Sequence, residues 1–182
     1  MIDLSDRIIE LRVDNDRLRR EVQNLESKVL SLVGMINLES SGGPEGKKLI
    51  NERLINLITS TKQQLNIVSP KIDRFYANEV RKLTQKGIPI LIITNDRGSI
   101  PKAFQEVYDD LKVISGVSIV NNPNVRYLLV FNSEEAIYSG GSLVKEELEK
   151  SVLIITIIKE TAKLRKIAEI FSLMLPSFMR GK

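Results

Sequence analysis

The start of the chain carries a seven-residue repeat, and this constrains the fold more than any other feature. Leu4, Leu11, Leu18, Leu25 and Leu32 recur every seven residues, and Ile8, Asn15, Val22, Val29 and Ile36 each follow four residues later. Neither Gly nor Pro interrupts the pattern before Gly34. Apolar positions spaced alternately by four and three form a narrow stripe along one helix, and such a stripe is buried by winding around another. Leu at every d position, with β-branched residues at all a positions but one, predicts a parallel two-stranded coiled coil over residues 1–39. Asn15 is the exception. A buried Asn costs stability unless it meets a second Asn, and that meeting fixes register, parallel orientation and the dimeric state. The competing reading is a single amphipathic helix packed on the rest of the chain. The flanking charges are mixed: Asp14 attracts Arg19 of a partner, whereas Arg7 faces Arg12 and Glu21 faces Glu26. Ile9, Leu30 and Val33 widen the stripe, so a dimer of dimers stays open beside the dimer.

The chain has 182 residues, room for one core plus one appendage. It contains no His and no Cys. That removes Ser-His and Cys-His nucleophiles, His and thiolate metal sites, and disulfides. Asp109-Asp110 lacks the further carboxylates that a cation site needs, so no metal and no cofactor is expected. No apolar run is long enough to span a bilayer, and the start lacks a signal-peptide core. The expectation is a cytoplasmic protein with no membrane partner. Cys-free, Lys/Glu/Ile-rich composition points to a thermophilic source.

Residues 40–46, SSGGPEG, read as a linker, and residues 47–182 as the second domain. The charge balance changes across this boundary. Residues 1–40 carry 6 basic and 8 acidic side chains, and residues 41–182 carry 21 and 15. Beyond the linker, amphipathic helical stretches alternate with short apolar runs such as LNIVS, PILIIT and VLIITII. YLLVF and AIYS form a hairpin about the polar NSEE turn. Alternating helices and buried strands predict an α/β fold, a mostly parallel sheet sandwiched by helices, behind the N-terminal coiled-coil helix.

The stretch INLITSTKQQLNIVSPKIDRFYANEVRKLTQKGIPILIITND resembles the opening of a phospholipase D-like half-domain. VSIVNNPNVRYLLVFNSEEAIYSGGSL occupies the place of that superfamily's His-x-Lys-x4-Asp and Gly-Ser signature, and LEKSVLIITI resembles the segment after it. The resemblance covers about residues 47–178. The most similar subgroup is the effector domain of TrmB-type archaeal transcriptional regulators, in which a coiled coil precedes a degenerate domain of this kind. The resemblance places Asn124 at the His position, Arg126 at the Lys position and Phe131 at the Asp position. Asn cannot form a phospho-enzyme or serve as an acid or base near neutral pH. The expectation is therefore a protein that is not an enzyme: a homo-oligomeric regulator, ligand sensor or scaffold.

Arg126 can pair with an anion through two hydrogen bonds, and Gly140-Gly141-Ser142 offers backbone N–H groups with no side chain in the way. Asn124, Arg126, Gly141, Ser142 and Glu149 are thus the candidate degenerate site, for a small anionic or sugar ligand. The alternative is a structural hairpin with Arg126 paired to Glu146 or Glu149. Lys159, Lys163, Arg165 and Lys166 crowd the terminal helix and are candidate nucleic-acid contacts, against the alternative of a solvated face. The last turns, IFSLMLPSFMR, are apolar enough to suggest cover over a second subunit.

Overall fold

The computed structural model describes residues 4–40 and 46–180, and side chains within them except at 4–6, 8–10, 27, 30–35 and 46–48. The expected linker residues 41–45 lie outside this description, as do the side chains of Leu4, Ile8 and Leu32. The chain divides into two compact units, one ending at Met35 and the other starting at Ile36.

The first unit is helix α1 (Leu4–Met35). Its stripe is open in the single chain: Leu11 is 62%, Leu18 54%, Val22 52%, Leu25 59% and Val29 56% exposed. Asn15 is exposed on the same helix. The helix ends sooner than the predicted 1–39 segment. Residues Ile36–Ser40 form strand β1, so Ile36 is a strand residue and not a seam position of α1. Asn37 and Glu39 alternate with Ile36 and Leu38 at the period of a strand, and an antiparallel partner, Ile154–Ile158, is there to take their hydrogen bonds.

The second unit continues with α2 (Gly46–Ser60), β2 (Leu65–Val68), α3 (Arg74–Gln85), β3 (Ile90–Thr94), α4 (Lys102–Lys112) and β4 (Val117–Asn121). Then come β5 (Tyr127–Phe131), β6 (Ala136–Gly140), α5 (Lys145–Lys150), β7 (Ile154–Ile158), α6 (Thr161–Leu173) and a 3-10 turn at Ser177–Met179. The seven strands make one sheet in the order β1-β7-β6-β5-β2-β3-β4. Only β2, β3 and β4 run parallel to one another, and every other pairing is antiparallel. The sheet is therefore mixed and not mostly parallel. α3 and α4 are crossovers long enough to return the chain to the same edge, as parallel neighbours need. β5 and β6 are joined by the predicted hairpin turn, and the short α5 between β6 and β7 leaves those strands antiparallel.

The two sheet faces are covered unequally. On one, Ile67, Ile92, Leu128, Val130, Ile137 and Ile155 pack with Ile50, Leu54 and Leu57 of α2 and Tyr76 and Val80 of α3. On the other, Val68, Ile93, Leu129 and Phe131 pack with Leu164, Phe171 and Leu175 in and just after α6. The Phe131 and Phe171 rings meet edge to face at 5.2 Å. Arg180 donates to the carbonyls of Leu175 (2.9 Å) and Leu173 (3.0 Å), satisfying acceptors that the end of α6 leaves open.

A candidate anion-binding edge

The parallel strands β2, β3 and β4 all end at one edge of the sheet, where open α/β sheets place their ligands. The antiparallel strands bring more chain to it. Val68 at the end of β2 pairs with Leu129, and Tyr127 at the start of β5 pairs with Gly140 at the end of β6. Arg126, one residue before β5, and Gly141, one residue after β6, therefore share this edge.

Hydrogen bonds brace the edge from beneath. The Ser69 hydroxyl donates to the Lys71 carbonyl at 2.6 Å and accepts from the Leu143 N–H at 2.8 Å. Asp73 caps α3 by accepting from the Tyr76 N–H at 2.9 Å, and its other oxygen accepts from the Lys145 N–H at 2.7 Å. The Lys71 ammonium pairs with Glu147 and lies 4.9 Å from the Phe104 ring centre. Thr94 donates to the Pro70 carbonyl at 3.2 Å. The segments after β2, β3 and β6 are thereby tied together.

Arg126 stands exposed above this frame. One guanidinium nitrogen, Nη1, donates to the carbonyls of Pro123 (2.8 Å) and Val125 (2.9 Å). Those two bonds orient the fork and leave Nε and Nη2 available to an anion. Among the described residues no carboxylate pairs with Arg126. Glu146 binds Lys150 at 3.1 Å, and Glu149 accepts from Asn51 Nδ2 at 3.3 Å. Opposite Arg126, Gly141 adopts φ 83°, a left-handed conformation that L side chains rarely hold. Asn124 is exposed beside Arg126, its N–H donating to Asn122 Oδ1 at 3.0 Å. Ser142 is buried, at 5% exposure, below the turn.

Not every predicted position reaches the edge. Phe131 lies at the far end of β5, in the core against Phe171. Glu149 belongs to a buried polar link beneath the sheet, where Asn51 Nδ2 reaches both Glu149 and the Lys145 carbonyl (3.4 Å) and Asn51 Oδ1 accepts from the Tyr76 hydroxyl. Burial, reinforced by the Asp73 and Glu149 carboxylates, pushes the Tyr76 phenol well above its ordinary value. Sequence reasoning missed this link, because nothing in a linear pattern joins Asn51, Tyr76 and Glu149. Just past β3, Asn95 Oδ1 is buried without a hydrogen-bond partner. On α6 and its approach, Lys159 pairs with Glu135 (3.7 Å), Lys163 with Glu160 (2.8 Å) and Lys166 with Glu169 (2.9 Å). Of the four basic candidates only Arg165 has no carboxylate within reach among the described residues. The described residues contain no cluster of three or more acidic side chains that would hold a metal ion, and no helix among them is long and apolar enough to cross a membrane.

No protein-family model and no curated protein matches the chain. Solved structures do. NucT from Helicobacter pylori matches with a TM-score of 0.64 at 14% identity, over 76% of this chain and 95% of that one. Nuc from Salmonella typhimurium, a phospholipase D family member, matches at 0.63 and 12% identity, over 81% of this chain and 97% of its own. TrmBL2, an archaeal chromatin protein with a novel mode of DNA binding, matches at 0.56 and 10% identity, over 93% of this chain and 64% of that one. The chain therefore has the phospholipase D-like fold.

The expectation that the protein is not an enzyme is corrected by the same set. Besides the phospholipase D family member, it includes a phosphatidylserine synthase from Haemophilus influenzae (TM-score 0.52, 13% identity, over 76% of this chain and 38% of that one). It also includes a polyphosphate kinase from Porphyromonas gingivalis (0.60, 10% identity, 81% of this chain and 27% of that one). Most of these matching structures are enzymes. A missing His removes one nucleophile and is by itself no ground for excluding an enzyme.

Proposed function

We propose that this protein is a homo-oligomeric regulator that recognises a phosphate-bearing ligand at the edge formed by Asn124, Arg126 and Gly141, with copies joined through a parallel coiled coil of α1. The observation that carries the ligand reading is Arg126: exposed, braced by two backbone carbonyls, unpaired with any described carboxylate and set opposite a glycine turn. Phosphate suits the Arg126 fork, which can reach two of its oxygens through two parallel hydrogen bonds. The coiled-coil reading is supported by the open stripe of α1, which a second stripe would cover, and by Asn15 within it. A ligand that binds only the folded state raises the melting temperature. Inorganic phosphate and a phosphodiester such as a dinucleotide are therefore expected to raise it in the parent protein and not in Arg126→Ala. Absence of any shift in the parent protein sinks the ligand reading. Product release in the same samples reads turnover directly.

A second reading, association with duplex DNA, is favoured by one observation. The match to TrmBL2 covers 93% of this chain, more than the sheet unit alone supplies, so it extends into α1. Because exposed ion pairs are weak, phosphates can compete for Lys159, Lys163 and Lys166 as well as Arg165. Affinity for a duplex, followed by fluorescence anisotropy from about 50 to 200 mM salt, should then fall steeply. Absence of binding at the lowest salt removes this reading.

A further inference from the structure

One carboxylate serves the start of two helices. Asp73 is the N-cap of α3, and its Oδ1 accepts from the Tyr76 N–H at 2.9 Å, satisfying a donor that a helix start leaves open. α5 has no such device of its own. Its N-cap is Val144, an apolar side chain that makes no hydrogen bond. The first N–H of α5, at Lys145, goes instead to Asp73 Oδ2 at 2.7 Å, across 72 residues of chain. Asp73 thus gives α5 the acceptor that Val144 lacks. The Asp73 backbone binds the same segment, its N–H donating to the Leu143 carbonyl at 3.0 Å.

That segment is the continuation of the glycine turn. Leu143 and Lys145 follow Gly141 and Ser142 directly, and the turn rests on α5. A methyl group placed on Gly141 would lie 3.8 Å from Cδ2 of Leu148, which is fully buried on that helix. On its other side the turn is fixed by the pairing of Gly140 with Tyr127, the residue after Arg126. The turn is therefore held by β5 at one end and by Asp73 at the other. We propose that Asp73 is the positioning residue of the candidate site: by capping α5 from α3 it keeps the Gly141-Ser142 turn at a fixed place opposite Arg126. Asp73 touches no ligand in this role. The inference rests on the anion-binding reading of the edge for its ligand.

The role needs a carboxylate. Two backbone N–H groups call for two acceptor oxygens, whereas Asn offers one oxygen and an NH2 donor. Asn caps a helix as well as Asp does, and Ser does so too. A cap within α3 orders little chain, so the one oxygen of either residue should stay with Tyr76 and leave Lys145 without a partner. Asp73→Asn and Asp73→Ser therefore separate the two functions of the side chain.

Amide exchange of the full-length chain, followed residue by residue by NMR, and calorimetric titration with inorganic phosphate test the proposal together. In both variants the Lys145 N–H should exchange about tenfold faster than in the parent chain, while the Tyr76 N–H keeps its protection. Phosphate should bind both about fivefold more weakly, because the turn is no longer preorganised. Ile137→Val, which shortens a fully buried side chain toward the far end of β6, is the control. It should lower the melting temperature and leave phosphate affinity unchanged, so that a general loss of stability is told apart from a loss of positioning. Parent-like affinity in both Asp73 variants overturns the inference and leaves the ligand reading standing. Parent-like protection of Lys145 in both overturns it as well. A parent chain that binds no phosphate removes the ligand reading, and exchange at Lys145 alone then decides whether Asp73 holds the turn.

Discussion

The stripe on α1 and the stripe on α2 are built from the same kinds of side chain, yet only one is covered within the chain. On α2, Ile50, Leu54, Leu57 and Ile58 are fully buried, because a sheet of β-branched residues presents a face for them to fill. On α1, Leu11, Leu18, Val22, Leu25 and Val29 each leave more than half their surface exposed. Apolar area taken from water contributes roughly 25 cal/mol per Å². The sheet unit collects that within one chain, whereas the described stripe of α1 stays open to water in the single chain. One region should therefore behave as an independently stable fold, and the other as an interface whose order depends on concentration.

Mutations in the two regions should separate these behaviours. The largest effect is expected at Leu128, fully buried at the centre of the sheet. Leu128→Ala should cost about 2–5 kcal/mol in denaturant unfolding, independent of protein concentration. A concentration-dependent loss would show that the sheet unit, too, completes its core only in an oligomer.

Tyr76→Phe comes next. It removes the hydroxyl donor from Asn51 and leaves a buried acceptor unpaired, at a cost of about 1–3 kcal/mol. It should also change the alkaline limb of stability. The folded state holds the Tyr76 proton above the phenol's ordinary value, while the unfolded chain releases it near pH ~10. Stability from this group is thus fully present below about pH 10 and falls above it, by up to ~1.4 kcal/mol per pH unit. Unfolding curves at successive pH values should show that fall in the parent chain and a shallower one in Tyr76→Phe.

Asn15→Val acts in the other region and with the opposite sign. In a coiled coil of α1 it should raise the melting temperature and broaden the oligomer distribution in light scattering, because an Asn pair in the seam selects register and dimer at a cost in stability. No change in either would mean that Asn15 lies outside any seam. The smallest stability effect is expected for Arg126→Ala, within about ±0.5 kcal/mol, because the side chain is exposed and its two hydrogen bonds go only to carbonyls of its own loop. Its effect should appear in ligand binding alone.

The contrast also explains which features could be read from sequence. The heptads of α1 and the apolar runs of β2, β3 and β7 are local periodicities, and each marks a helix or strand close to where it lies. β1 was hidden because INLES continues the last heptad, and only the antiparallel pairing with β7 makes it a strand. The mixed sheet was hidden for a related reason. VLIITII is apolar enough for a buried parallel strand, and α5, which keeps β7 antiparallel, is a run of good helix formers only six residues long, too short to show a helical period. At the edge, the hairpin phrase with Asn124, Arg126 and Gly141 stood out in the sequence. The Ser69 and Asp73 bonds that brace it join residues about seventy positions apart, and no linear pattern reports them.

If the open stripe of α1 is an interface, this chain covers it with a second copy of itself. Sedimentation equilibrium of the full-length protein over a hundredfold concentration range tests it most directly. The account predicts a mass at a whole multiple of 20.6 kDa, two or four, held across most of that range. A single species of 20.6 kDa at every concentration would contradict it.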